Sequence, residues 1–529
     1  MGDFRTLMHQ STSEVTAAHG SWLALSKTCG GQQEVHRGQV TGPLREMGWK
    51  GEAAYAGMAR MDRTESELGV AGSQALAISV VLDNLRLGME TAKRNLHAAV
   101  KDAEADGCYT VTADGTVTAR PLTQAERHDP DVTRRVTRVR AEHQARIDAA
   151  VQQADRAGKE AATLLRRFVP ARLTDPGDAQ ADARLVLQSD QGMCPVDNGL
   201  PDGSDPKASA AWWQGLSQDD RAMYLAAYPE DVGRLNGLPV TVRDDANRAV
   251  LDTWIASRTA RGESPSTGTL HNLLALRDRM DVADAGPARY RIHLIALDPS
   301  RDGKAIASVG DPDTVEHTSV FVPGTGADLG DMSGSLSRTD DIVRASEAYG
   351  GEGNVAGVIW LGYDAPDEIV PDAADQKYAR DAGPALREFF GGMEASHQGG
   401  ERHITAVGHS YGSTVVGAGA MDGGGLPGVD DIIVAGSPGM LVWGASELNV
   451  PAGHVWAMEA EKDPVPDLGQ IFLSPFGHTP DDRNFGANML VTDTTGHNDY
   501  WKQGTHSLDN QARVIGGRGQ TAATQWRAG

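Results

Sequence analysis

Cysteine is nearly missing from this chain: Cys29, Cys108 and Cys194 are the only three in 529 residues. They are odd in number, far apart, and in no Cys-x-x-Cys or Cys/His spacing. That excludes a disulfide framework and a cysteine zinc site, and leaves them as small, semi-buried residues. Aromatic residues are scarce at 5%. Positive charge is also short: 49 Lys and Arg against 72 Asp and Glu give a formal net charge of -23. A general basic field that would attract nucleic acid or anionic lipid is therefore absent, and no nucleic-acid partner is expected. No run approaches eighteen apolar residues, and the opening MGDFRTLMHQ lacks a basic stretch followed by an apolar one. Neither a transmembrane segment nor a signal peptide is expected, which points to the cytoplasm or to an export route that reads no such signal.

What is present is ordinary for a folded chain, with 40% hydrophobic and 23% charged residues. The length predicts more than one compact unit. In the first third, Ile78, Leu82, Leu85, Met89, Ala92, Leu96 and Ala99 step by four and three, the seam of a long helix packed on another. A second long pattern runs from Val132 through Val136, Val139 and Ile147 to Leu164 and Phe168, where Pro170 stops it. Between them, residues 108–120 alternate apolar and polar around Asp114-Gly115 and predict a small β-hairpin. Residues 4–26 read as a further helix, and Trp49-Lys50-Gly51 as a helix-turn-helix corner. Residues 1–171 are thus expected to form a helical bundle.

Residues 172–209, rich in Asp, Pro and Gly, read as a linker. Residues 210–285 return to helical patterns, with Ser217 and Asp220 spaced as a helix start. From 286 to 529 the pattern becomes eight short apolar runs, at 292–297, 305–309, 320–322, 358–361, 404–407, 432–435, 455–458 and 489–491. Several are continuously apolar, as strands are when helices cover both faces of a parallel sheet. The expected class is α/β, a mostly parallel eight-stranded sheet flanked by helices and preceded by an all-α long-helix domain.

The chemistry gathers at the strand ends. Gly408-His409-Ser410-Tyr411-Gly412 follows the run 404–407 and precedes a small-residue helix. With 62 glycines in the chain, a bare GxSxG match arises by chance on the order of a few tenths of the time, so the weight lies in the strand-turn-helix context. Ser410 is the candidate nucleophile. A serine hydroxyl needs a histidine to take its proton and a carboxylate to orient that histidine, and in this arrangement they follow in the order Ser, acid, His. Asp463, past the run 455–458 and before Pro464, is the preferred acid, with Glu461 and Asp467 as alternatives. His497, on a loop entered through Gly496 after the last run, is the preferred base, with His506 as competitor. His409 lies inside the turn and points away from the serine; His403, His454 and His478 read as structural or exposed. The oxyanion donors are expected to be the backbone N–H groups of Tyr411 and of Thr325, in the glycine-rich loop after 320–322. That loop has the last glycine one residue late for a dinucleotide-binding turn, and no cofactor or metal is expected. Tyr363, Asp364 and Trp443 sit near strand ends as candidate pocket residues.

These residues carry a resemblance. Trp212-Trp213 with Leu216, Asn236 to Pro239, Arg243-Asp244 with Ala246-Asn247-Arg248, Val322 to Gly326, Trp360 to Pro366, the Ser410 turn, Asp463-Pro464-Val465, and Gly496-His497 with Tyr500 and Ser507-Leu508 follow one another. Together, from about 212 to 517, they resemble the actinobacterial α/β-hydrolase family catalogued as DUF1023. The resemblance implies an esterase-like hydrolase of unassigned substrate, with a triad at Ser410, Asp463 and His497; the substrate expected for such a triad is a small-molecule or lipid-like ester. Asp509 departs from the basic residue expected after Ser507-Leu508. The N-terminal helices with Trp49-Lys50-Gly51 resemble a WXG100-type hairpin, which implies a type VII secretion partner and export by that route.

Overall fold

The computed structural model describes residues 3–47, 52–168, 176–191, 199–367, 375–421, 424–466 and 476–528. The chain divides into two compact units, Met1–Glu34 with Arg63–Asn198, and Val35–Asp62 with Gly199–Gly529.

The first unit is built on long helices. Glu52–Glu104 and Pro130–Leu165 are the two that the apolar spacing predicts. Along the seam Ile78, Ala92, Leu96 and Ala99 are buried, whereas Leu82, Leu85 and Met89 are half-buried. Leu96 and Ala92 pack with Leu7, Tyr109, Val117, Ile147 and Ala150. The hairpin is present as β1 (Tyr109–Val111) and β2 (Val117–Ala119), antiparallel, with Gly115 at φ 87° in its turn. Two expectations need correcting. Residues 4–26 are not one helix: Asp3 caps Phe4–His9 through the Thr6 N–H, Gln10 turns extended, and a second helix runs Ser13–His36. Residues 172–209 are not all linker, because Pro176 starts a helix to Gln191 instead of preventing one. Its buried Asp182 pairs with Arg167 at 2.8 Å. The stretch Arg60–Glu104 is long and apolar enough to cross a membrane, with half of its apolar window buried inside the protein.

The second unit recruits residues 35–62, which the sequence reading keeps with the N-terminal bundle. The cause is polar. Arg45, on the short helix Gly42–Glu46, reaches Asp62 at 2.6 Å and Asp278 at 2.7 Å and also pairs with Asp281, which is 1% exposed. A Cβ at Gly42 would lie 2.5 Å from the Asp281 carbonyl, so glycine permits this contact. Trp49-Lys50-Gly51 lies outside the described residues.

Among the described residues the sheet has nine strands: β3 (Ile292–Asp298), β4 (Lys304–Val309), β5 (His317–Val322), β6 (Val355–Leu361), β7 (His403–His409), β8 (Asp431–Ala435), β9 (Val455–Met458), β10 (Asn488–Leu490) and β11 (Thr524–Trp526). Their spatial order is β11-β10-β9-β8-β7-β5-β6-β4-β3. β4 and β11 run against the rest. The ninth strand, β11, is the correction to eight; three residues long, it leaves too little alternation to read. Successive residues face opposite sides. Phe321, Val407, Ile433 and Met458 pack toward the helices Met332–Gly350 and His506–Ile515, and Val320, Ala406, Val434 and Ala457 toward Lys377–Ser396 and Tyr411–Ala420. The helix Val240–Ala260 is bolted to β3 by Asn247, whose amide donates to the carbonyls of Leu294 (3.1 Å) and Ile295 (2.8 Å), where the strand's register shifts. Ser217 caps Gln218–Ala227 through the Asp220 N–H, as its spacing predicts.

Candidate active site

β7 delivers Ser410 to a sharp turn. Its backbone sits at φ 53°, ψ -130°, outside the regions open to an L-residue, a conformation costing about 1–3 kcal/mol that its surroundings must impose. They do so through hydrogen bonds on both sides. The Ser410 N–H donates to the Ala435 carbonyl on β8 at 3.0 Å, and the Ser410 carbonyl accepts from the Ser413 N–H (3.0 Å) and hydroxyl (2.6 Å). The flanking glycines are steric necessities. A Cβ at Gly408 would meet the Ser413 Cα at 2.6 Å, and one at Gly412 would meet the Val322 carbonyl oxygen at 2.1 Å.

The loop after β5 closes over this turn. A Cβ at Gly324 would lie 2.7 Å from Ser410 Cβ and 3.1 Å from the Tyr411 nitrogen, so the backbone passes as near as glycine allows. The loop is held at two points: the buried Tyr363 hydroxyl donates to the Pro323 carbonyl at 2.7 Å, and the Gly326 N–H donates to the Pro366 carbonyl at 2.8 Å. Thr325 lies between them. Tyr411 opens its helix, so its N–H has no carbonyl a turn earlier within that helix. Tyr363 therefore braces the loop from the interior. Trp443 is exposed and edge-on to His478 at 5.0 Å, and Asp364 is half-exposed, 3.7 Å from Arg301.

Asp463 and His497 come together from separate loops. Both carboxylate oxygens lie 2.8 Å from His497 Nδ1. The carboxylate is buried and takes two further donors, the Val465 N–H at 3.0 Å and the Tyr500 hydroxyl at 2.5 Å. Burial pulls its pKa up, but the hydrogen bonds from His497, Tyr500 and Val465 outweigh it and hold the group below the usual carboxylate range. Glu461 is exposed, Asp467 lies outside the described residues, and His506 begins the helix His506–Ile515.

The pair is adjacent to the serine turn. Gly436, next after the Ala435 that anchors Ser410, has φ 58°, and a Cβ there would lie 2.4 Å from Asp463 Oδ2 and 2.8 Å from His497 Nδ1. From the other side, His409 Nε2 is 2.8 Å from the His497 carbonyl, and the two rings are 4.6 Å apart. Since a carbonyl only accepts, Nε2 carries the proton. Burial, and then the neighbouring His497, push the His409 pKa down to about 3, so the ring is neutral. His409 also packs against Trp501 and Phe321, both of which lie under the Arg338 guanidinium. The spacing of the sequence gives no sign of the roles of His409 and Tyr500. Among the described residues no cluster of three His, Cys, Asp or Glu could hold a metal ion.

A second Asp–His cluster lies at the opposite ends of the same strands. Asp431, the first residue of β8, accepts from His403 Nε2 (2.8 Å), His454 Nδ1 (3.0 Å) and Trp456 Nε1 (2.6 Å). His403 Nδ1 in turn faces the Ile515 carbonyl at 3.1 Å. With acceptors at both nitrogens, His403 is an imidazolium. Burial opposes that charge, and Asp431 overcomes it, so the pKa is raised. Asp509, the departure from the family pattern, receives the Tyr349 hydroxyl and an ion pair from Arg513 at 2.9 Å, a packing role.

A family model described as alpha/beta hydrolase matches residues 298–472. An uncharacterized protein of Mycobacterium bovis is 35% identical over 226 residues, 41% of this chain and 81% of the relative. An uncharacterized protein of Mycobacterium tuberculosis is 29% identical over 381 residues, 61% of this chain. The chain spans 57% of that relative's length. Among solved structures, a thermostable esterase from Pseudomonas putida is 12% identical with a TM-score of 0.26, covering 51% of this chain and 94% of that one.

Proposed function

The chain belongs to the alpha/beta-hydrolase family, and from that premise we propose that it is a serine hydrolase cleaving a carboxylic ester through an acyl-enzyme. The observation that carries the reading is the convergence at Gly436. The residue that anchors the strained Ser410 turn is followed directly by the glycine that abuts the Asp463–His497 pair.

In this reading Asp463 keeps the proton on His497 Nδ1, which leaves Nε2 as the base for the Ser410 hydroxyl. The Ser410 oxygen attacks the ester carbonyl, and its proton passes to His497. The developing oxyanion is met by the N–H groups of Tyr411 and Thr325, fixed in place before the reaction begins. His497 then protonates the leaving alcohol, and water, activated by the same imidazole, releases the acid and restores the serine. Apart from the ester and water, the groups in this cycle are side chains and backbone amides of this chain. The substrate class we propose is a small-molecule or lipid-like carboxylic ester. The mycobacterial relatives support the finer placement in the actinobacterial branch that the sequence blocks resemble.

The test is a hydrolysis screen across ester chain lengths and thioesters, coupled to labelling by a fluorophosphonate. The reading expects the label on Ser410 and turnover of at least one ester series above that of the thioesters. A label on a different serine, or thioester turnover dominating at every chain length, overturns it.

A further inference from the structure

We propose that Tyr500 is a positioning residue that tunes His497 through Asp463, a fourth member of the relay. This deepens the serine-hydrolase reading and rests on it.

The hydroxyl of Tyr500 stands 2.5 Å from Asp463 Oδ2, at the short end of the range for a hydroxyl on a carboxylate. The direction of its proton is fixed by a third party. The Ala460 N–H, at the end of β9, donates to the same phenol oxygen at 3.0 Å, so the phenol's own hydrogen is left for Asp463. The ring is fully buried between His409 and Trp501, with centroids 6.2 and 5.7 Å away. Its backbone carbonyl is held by the Ser507 hydroxyl (2.8 Å) and the Gln511 amide (3.0 Å). Ring, carbonyl and oxygen are thus all immobilised, and the immobilised group aims one proton at the carboxylate that faces His497.

A hydrogen bond to a carboxylate stabilises its charge and makes it a poorer proton acceptor. Asp463 then orients His497 without drawing the Nδ1 proton across, and the phenol holds the carboxylate where it faces the ring. Tyr500 therefore keeps Asp463 ionised and fixed in place, which holds the proton on His497 Nδ1 and leaves Nε2 to act as the base. The other titratable groups facing the relay are His409, Arg338 across Trp501, and Glu459 at the end of β9. Tyr500 differs from these three in that its hydroxyl donates directly to Asp463.

The experiment follows the rate of Ser410 phosphonylation by a fluorophosphonate against pH, in the full chain, with ester kcat and KM measured alongside. Tyr500→Phe should slow labelling about 10- to 100-fold, the worth of one hydrogen bond to a charged group, with KM unchanged. Its acid limb should move up by about half a unit or more. Replacing Tyr500 by 3-fluorotyrosine, a stronger donor of nearly the same shape, should move the limb down, and it decides the matter if the Phe variant fails to fold. A Phe variant that is slower with an unshifted limb, or a fluorotyrosine protein with the wild-type profile, overturns the proposal while leaving the nucleophile assignment standing. If the wild-type protein takes no label on Ser410, the hydrolase reading fails and the proposal fails with it.

Discussion

The two ends of the central sheet carry similar ingredients and differ in what surrounds them. At the carboxyl ends of the strands, Asp463 faces one histidine; at the amino ends, Asp431 gathers His403, His454 and Trp456. Along β7 the clusters are separated by the run from His403 to His409, about 20 Å. An acid beside a histidine is thus not in itself a sign of catalysis. Asp431 saturates itself with donors and holds His403 charged between two acceptors, an arrangement that fastens strands together; His454 meets it through Nδ1 alone, and the one serine with positive φ among the described residues lies at the other end of the sheet. Asp463 binds a histidine through one ring nitrogen only, next to a serine in a backbone conformation an L-residue rarely adopts. Ser410 is one of four non-glycine residues with positive φ among those described.

The comparison is broken most sharply at the serine. Ser410→Ala should abolish fluorophosphonate labelling and lower ester turnover by several orders of magnitude, with the melting temperature nearly unchanged. Exchanging the acids comes next. Asp463→Asn should cost on the order of ten-thousandfold in turnover, whereas Asp431→Asn should leave turnover within about twofold; equal losses would erase the distinction between the two ends. Third, Gly436→Ala would force a methyl group against Asp463 and His497 at a positive φ. A displacement of about 1 Å there should cost roughly a hundredfold in labelling rate. The smallest effect is on stability. The raised pKa of His403 means that its ion pair is fully present below the ordinary value of 6.5 and fades as pH rises through the higher folded value. Thermal melts of Asp431→Asn should therefore show a loss of about 1–3 kcal/mol that is largest near pH 5.5 and smallest near pH 9.

What the sequence discloses and what it conceals divide along the range of the interactions. The strand before Ser410, the glycines around it and the helix after it are local, so composition and spacing reveal them. The apolar runs from β3 to β10 are visible for the same reason. Asp463 and His497 are readable as places in an order along the chain, while their meeting is a matter of tertiary structure. The hydroxyl of Tyr500, the tether from His409 to the His497 carbonyl and the attachment of Arg45 to Asp281 join residues 37, 88 and 236 positions apart. No periodicity encodes such pairs. The boundary errors have the same origin: residues 35–62 look helical and N-terminal, but their buried ion pairs belong to the sheet unit.

That attachment also sets a schedule for the protein's synthesis. Arg45 leaves the ribosome 236 residues ahead of Asp281. At about 5–20 residues per second the wait is roughly ten to fifty seconds. During that interval the helices Ser13–His36 and Glu52–Glu104 are already available to each other, while Gly42–Glu46 between them has no permanent seat. A nascent chain stalled before residue 281 would display Arg45 and its helix to proteases and chaperones, and one stalled after it would not. The second unit therefore cannot be completed by its own contiguous stretch of chain, and its final assembly must reach back to a piece made near the start of translation.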